Sequence, residues 1–504
     1  MDKLHKVISL SFLLLVILLT KCVSPPESQF SVEQKYQAYC GSCHLPPDPA
    51  NIPKAIWEDN ILPEMAARLG YKYNHYNPLA KNSMEENLYI RMTNTYPKQP
   101  TIDSATWQQI HDYVITLAPD SISIDTSRNG RNSILTHFKS KPVSLDNYGA
   151  ARITSIRFEP ESSQFVIGDA YGAVHNWPIQ DTTLRFDSPL ISYRKIGEDE
   201  YFTEIGYMNP SEIPLGLIYR KRSGVIDTLA KKLHRPVYTE IVDLNKDGQD
   251  EILISEFGNL TGELSMLIQS DTQYEKRTLL PVPGTIKLEI KDMNNDGKDD
   301  IIVLASQGNE GIYILYQKED LKFSPSHVIR MGPDYGSSWF QLFDYDNDGD
   351  MDIVLANGDN ADYSIFSKPY HGVRLFLNDG ANKFEQVWFY PIYGATRILA
   401  DDYDLDGDID FAVMSFFPDF DHVPAEGFVY LENKTPQSFD FSAFTFEQSV
   451  LGRWLIMEDG DFDQDGDQDI MLGSFQFSAG KGQSEVDGWT QSQVDAILLE
   501  NQAR

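Results

Sequence analysis

The sequence predicts a multidomain chain, a small all-α domain followed by an all-β propeller, on three observations. A Cys-x-x-Cys-His motif at 40–44 lies among helical patterns. An acidic nine-residue motif begins at Asp243, Asp292, Asp344, Asp402 and Asp461, at intervals of 49, 52, 58 and 59 residues, the period expected of propeller blades. Between the copies, apolar residues run and alternate as they do in strands.

The chain has 504 residues, 41% of them hydrophobic and 12% aromatic, enough for one large domain and a smaller one. A net charge of −33 argues against nucleic acid as a partner, because phosphate neutralisation needs clustered Lys and Arg. Residues 7–20 form an apolar run of 14 preceded by Lys3 and Lys6, too short to span a membrane comfortably and suited to a signal segment over 1–22. Its end, Leu19-Thr20-Lys21-Cys22, resembles a bacterial lipoprotein cleavage site, although Lys21 departs from the usual small residue. The resemblance implies a lipid on Cys22 and an extracytoplasmic, membrane-anchored protein, on the periplasmic side or at the cell surface. Cleavage elsewhere, or retention of the segment as an anchor, would still place the body outside the cytoplasm.

Only Cys22, Cys40 and Cys43 are present, so no disulfide framework is expected. In Cys40-Gly41-Ser42-Cys43-His44 the spacing lets two thiols add to the two vinyl groups of one haem while His44 ligates iron. The rival reading is a redox or structural cysteine pair followed by an accidental histidine.

Ser31 with Gln34 forms a helix-start capping pattern, predicting a helix over about 32–41 that delivers the motif at its end. Residues 57–69 and 103–117 also read as amphipathic helices, the latter opening at Asp103 and closing before Pro119. This order over residues 30–120 resembles the small class I cytochrome c fold. The resemblance implies a methionine as sixth iron ligand, since a thioether raises the reduction potential. Met65 is favoured, in a Trp57-to-Met65 segment similar to that of bacterial cytochromes; Met92, Met84 and His75 are the alternatives. Pro53 stands where such proteins place a carbonyl that receives the proximal imidazole proton.

The acidic loops offer oxygen at positions one, three, five and nine, a main-chain carbonyl at seven, and glycine at six for a sharp turn. The first copy presents Asp243, Asn245, Asp247, Gln249 and Glu251; the second, Asp292, Asn294, Asp296, Lys298 and Asp300. The other three are acidic throughout: Asp344, Asp346, Asp348, Asp350 and Asp352; Asp402, Asp404, Asp406, Asp408 and Asp410; Asp461, Asp463, Asp465, Asp467 and Asp469. All-oxygen sets favour calcium over zinc or copper, and the loose geometry favours it over magnesium. Each loop runs into a strand-like stretch such as 301–305 or 353–356, which disfavours a helix-pair calcium site. The loops hold 23 of the 75 acidic residues, and crowded carboxylates repel unless a cation joins them. Up to five structural calcium ions are expected. The arrangement resembles the FG-GAP and VCBS repeats, calcium-loop propeller modules of integrin α chains and many secreted bacterial proteins.

Upstream, residues 152–177 and 201–219 alternate without acidic loops, so two blades plus five predict seven, with six or eight as alternatives. The propeller is assigned to 149–504 and a linker to 121–148. Five residues before each loop stand Tyr238, Lys287, Trp339, Arg397 and Ile456, facing either the channel or a blade interface.

The leading functional expectation is single-electron transfer by the haem, with the propeller as a platform for a redox partner, a polysaccharide or a cell-surface protein. A propeller dehydrogenase feeding electrons to the haem is the second reading, although no nucleophile triad, GxGxxG or P-loop supports it. An adhesion module with an accessory haem is the third.

Overall fold

The structure, a computed structural model, describes residues 30–123, 133–145, 149–179, 181–270, 273–359, 366–476 and 483–503. Cys22 and the expected signal segment over 1–22 lie outside them. Among the described residues, no helix is long and apolar enough to cross a membrane.

The N-terminal part is helical, as the capping signals require. In α1 (Val32–Cys40) the Ser31 hydroxyl accepts from Gln34 N, while Ser31 N donates to the Gln34 side chain. A helical stretch follows from Lys54, relaxes through a π turn at Trp57–Ile61 and ends in α2 (Leu62–Arg68). Helix α3 (Met84–Met92) is capped by Ser83, whose hydroxyl accepts from Glu86 N. Helix α4 (Ser104–Leu117) is capped by Asp103 and stops at Ala118, before Pro119. Tyr36, Ile52, Trp57, Leu62, Trp107, Ile110 and Val114 share one core, with Phe366 of the propeller packed against it. Ile110 and Val114 are fully buried, each contributing on the order of 1.5–3 kcal/mol.

The rest is a seven-bladed propeller, seven sheets of antiparallel strands following one another in chain order. The inner strands Ile153–Glu159, Leu190–Ile196, Pro236–Val242, Thr285–Lys291, Ser337–Phe343, Ala395–Asp401 and Trp454–Gly460 touch in sequence, and the last meets the first. Second strands such as Asp300–Ala305 and Asp352–Asn357 are buried on both faces between neighbouring blades. Hence they read as unbroken apolar runs rather than alternations.

One boundary is corrected. Phe138–Val143, expected within the linker 121–148, is the outer strand of the seventh blade, paired antiparallel with Ala496–Asn501. Its Lys139, Lys141 and Pro142 disguise it, but these residues suit an edge strand. Upstream chain thus completes the blade built by the last three strands, closing the ring without a covalent link. Ser133–Ile134 adds a short parallel fifth strand to blade six.

In such a meander, the links between strands one and two of each blade emerge on one face of the ring. The links between strands two and three, and those between blades, emerge on the other. All five acidic loops are links of the first kind.

Candidate functional site

Helix α1 ends at Cys40, and Gly41 turns the chain sharply there, donating its N–H to Gln37 O at 3.0 Å. A Cβ at Gly41 would stand 2.3 Å from that oxygen, so only glycine fits the turn. Cys40 and Cys43 are both free thiols, the former half-buried and the latter exposed. Burial pushes the Cys40 thiol up to about 12. The following turn is tied to the helical core where Trp57 Nε1 donates to Pro49 O at 3.1 Å.

The structure brings Cys40, Cys43, His44 and Met65 to one cavity of about 410 Å³. Its helical wall also contains Tyr36, Ile52, Trp57 and Leu62, and its opposite wall is propeller. His44 Nδ1 lies 2.8 Å from Leu45 O; a carbonyl can only accept, so Nδ1 holds the proton and Nε2 keeps its lone pair. Burial depresses the basicity of the ring, favouring the neutral imidazole a metal needs. Pro53 does not fill the expected role, because its carbonyl accepts from Ile56 N and Trp57 N at the start of the helical stretch. Met84 and Met92 are 86% and 81% exposed, and His75 is exposed, so Met65 alone of the four sixth-ligand candidates lines the cavity.

The propeller wall comes from the links of the second kind, at 259–260, 281–283, 306–309, 333–336 and 359. The cavity therefore sits on the face opposite the acidic loops. The two domains are joined where Asn51 Nδ2 donates to Asp334 Oδ2 at 3.1 Å, Tyr370 OH to Asn51 O at 3.3 Å, and Glu212 N to Glu86 Oε1 at 2.9 Å. Arg68, at the cavity, is held by Glu64, which also accepts from Tyr76 OH and Tyr96 OH.

The five acidic loops share one backbone. Position four is left-handed in each, at Lys246, Asn295, Asn347, Leu405 and Gln464, with φ between 57° and 63°. Position six is a glycine with φ between 83° and 96°. Main-chain N–H groups fold back on position one, as Gly248 N does on Asp243 Oδ2 at 2.8 Å. In three loops the carboxylates of positions one, three and five converge within 4.8 Å of one another: Asp344, Asp346 and Asp348; Asp402, Asp404 and Asp406; Asp461, Asp463 and Asp465. Asn245 and Asn294 replace the third-position carboxylate in the first two loops, and Asn245 Nδ2 donates to Asp247.

Position nine behaves otherwise than expected. Glu251, Asp300, Asp352, Asp410 and Asp469 open the second strands, buried, and accept from backbone amides of the loop or the neighbouring strand. They pin each loop to its sheet and lie outside the converging groups. Position seven, expected to offer only its carbonyl, carries a side chain of interest in two loops. The carboxylates of Asp408 and Asp467 are 6% and 1% exposed and lack hydrogen-bond partners. Burial and neighbouring aspartates push both up to about 6.

At the axis, four of the five inner-strand residues meet. The Arg397 guanidinium lies 3.8 Å and the Lys287 ammonium 4.6 Å from the Trp339 ring, which is 6.0 Å from Tyr238. Lys287 also pairs with Glu289 and donates to Phe340 O. These contacts plug the channel with cation–π and ion pairs. Ile456 instead packs at the interface of blades seven and one.

Residues 292–355 match the FG-GAP-like repeat family. No curated protein matches the chain. Among solved structures, the chain is similar to the Pan2 WD40 domain of Neurospora crassa (13% identity, TM-score 0.41, covering 73% of this chain and 97% of that one). Saccharomyces cerevisiae Sqt1 follows at 12% identity and TM-score 0.39, with coverage of 69% and 83%. The gluconolactonase XC5397 of Xanthomonas campestris has 14% identity and TM-score 0.36, with coverage of 56% and 88%.

Proposed function

We propose that this chain is an exported c-type cytochrome, anchored to a membrane through a lipid on Cys22, that transfers single electrons between extracytoplasmic partners. The observation that carries this reading is the shared cavity of Cys40, Cys43, His44 and Met65. Haem, when bound, supplies a one-electron redox couple. Cys40 and Cys43 would hold it by thioether bonds, with His44 Nε2 and the Met65 sulfur as iron ligands. The hydrogen bond from Nδ1 to Leu45 fixes the ring in the tautomer that leaves Nε2 free. Trp57, Ile52 and Leu62 are each 2% exposed and keep water from that wall, which favours a defined potential.

The propeller serves as a rigid docking platform for the redox partner, stiffened by calcium in its acidic loops. Asp402, Asp404, Asp406 and Asp408, with Asp461, Asp463, Asp465 and Asp467, are the strongest ion-holding sets, since each combines a converging triad with a buried carboxylate lacking a partner. Expression in a host that matures c-type cytochromes tests the proposal. One covalently attached haem by mass and a reversible one-electron titration are expected; a colourless protein with both thiols free overturns it.

A further inference from the structure

Helix α3 has two unlike faces. Glu86, Tyr89 and Ile90 turn towards the protein: Glu86 accepts from Glu212 N at 2.9 Å, the Tyr89 ring meets His234 edge-on at 6.0 Å, and Ile90 is 3% exposed. Glu212 and His234 lie in links of the second kind, so α3 sits on the cavity side of the ring. Met84, Leu88 and Met92 stand one turn apart on the other side of the helix, roughly 150° round its axis, and are 86%, 60% and 81% exposed. Three large apolar side chains in one exposed stripe mark a contact surface.

Charge indicates what covers it. The excursion from Leu69 to Thr101, closed where Thr101 N donates to Leu69 O at 2.9 Å, carries Lys72, Lys81, Arg91 and Lys98 against Glu85 and Glu86. All four cations are exposed. This part of the surface is net positive in a chain whose net charge is −33, while the five acidic loops emerge on the opposite face of the ring. An apolar stripe rimmed by cations suits the headgroup region of an anionic bilayer, which buries the apolar side chains and attracts Lys and Arg to its surface. Cys22 stands eight residues before Phe30, so a lipid on it keeps the helical domain within about 28 Å of that bilayer.

We infer that Met84, Leu88 and Met92 insert into the headgroup region of an anionic membrane, so that the helical domain faces the bilayer and the acidic loops face away from it. The inference deepens the proposed function and rests on that reading for the anchor alone. It turns a tether into a fixed orientation, with the negative face of the propeller held off the negative lipid.

Photo-crosslinking of the full chain in vesicles tests this, with Leu88→benzoylphenylalanine as the probe. The control is Val225→benzoylphenylalanine, since Val225 is 61% exposed in the hairpin between the third and fourth strands of blade two, on the acidic-loop face. In phosphatidylglycerol vesicles, lipid adducts at 88 are expected to exceed those at 225 by at least about fivefold. They are expected to fall about threefold in phosphatidylcholine vesicles, and likewise when Lys81→Glu and Arg91→Glu are combined. Equal lipid adducts at the two positions, no loss in both the neutral vesicles and the charge-reversed variant, or a dominant adduct at 88 with a second copy of this chain overturns the inference. The mass of the N-terminal peptide in the same samples separates the two readings. Cys22 without lipid, but with the preferred adduct at 88, keeps this inference and discards the lipid anchor; a lipidated Cys22 without that adduct does the reverse.

Discussion

Asn51 donates to Asp334 at 3.1 Å, across 283 residues of sequence, and so fastens the turn after the Cys-x-x-Cys-His motif to the propeller. With the Tyr370–Asn51 and Glu212–Glu86 hydrogen bonds, that contact helps to hold the two walls of the cavity together. Asn51→Ala is expected to remove this hydrogen bond to the buried Asp334 carboxylate and to weaken domain docking by about 1–3 kcal/mol. Hydrogen exchange should then rise along 45–53 and 333–336 while the blades stay protected; unchanged exchange in both segments would count against the clasp.

For the haem, Cys43→Ser is expected to abolish normal covalent attachment, and Met65→Ala to remove the absorption band specific to sulfur-ligated ferric haem. Optical spectra of the purified variants check both. An intact band in Met65→Ala would reassign the ligand to Met92, Met84 or His75, and so require the exposed α3 or the 74–76 turn to move inward.

Calcium removal should lower the Tm of the propeller and leave the haem spectrum nearly intact, because the acidic loops and the cavity occupy opposite faces of the ring. Asp408→Asn and Asp467→Asn, which remove a buried charge that lacks a partner, are expected to reduce the calcium-dependent part of the Tm shift. Equal melting with and without chelator would remove calcium from the account.

Glu310 gives a prediction in pH. It is fully buried in the fourth blade, its Oε1 accepts from the Ser337 N–H and hydroxyl, its Oε2 has no partner, and burial raises it to about 8 from 4.5. Between those values the folded chain keeps a proton that the unfolded chain has released. The stability this group contributes is therefore complete below about pH 4.5 and is lost as pH rises through 8. Melting curves of Glu310→Gln against the parent should show a shallower decline from pH 5 to 8; parallel curves would mean that the carboxyl ionises freely in the fold.

Ring closure depends on Phe138, which is 7% exposed and packs against Tyr403 and Tyr430 in the core shared by blades six and seven. Phe138→Ala is expected to cost about 3–5 kcal/mol in denaturant unfolding. A loss below 1 kcal/mol would show that the other strands close the ring without it.

Much of this protein is written in local sequence. The Ser31–Gln34 cap, the Asp103 cap and the Asp-x-Asp-x-Asp-Gly loops act over a few residues, so spacing alone announces them. Helix α3 has a local cap too, at Ser83, whose hydroxyl accepts from Glu86 N, but its apolar pattern is weak: Met84, Leu88 and Met92 lie on its exposed face. The strand Phe138–Val143 is not legible locally, because it has Lys and Pro where a central strand would have aliphatic residues.

By itself, then, the sequence determined the motifs, the helical start, the blade period and the backbone of the acidic loops, all consequences of short-range geometry and hydrogen bonding. Only the tertiary structure decided which side chains share a cavity, that Met65 joins His44 there, and that Asp334 and Ser306 form its far wall. It also decided that position nine anchors the loops and that Lys287, Trp339 and Arg397 fill the axis. Those contacts join residues tens to hundreds of positions apart, and it is the closure of seven sheets into a ring, not any local preference, that brings them within reach.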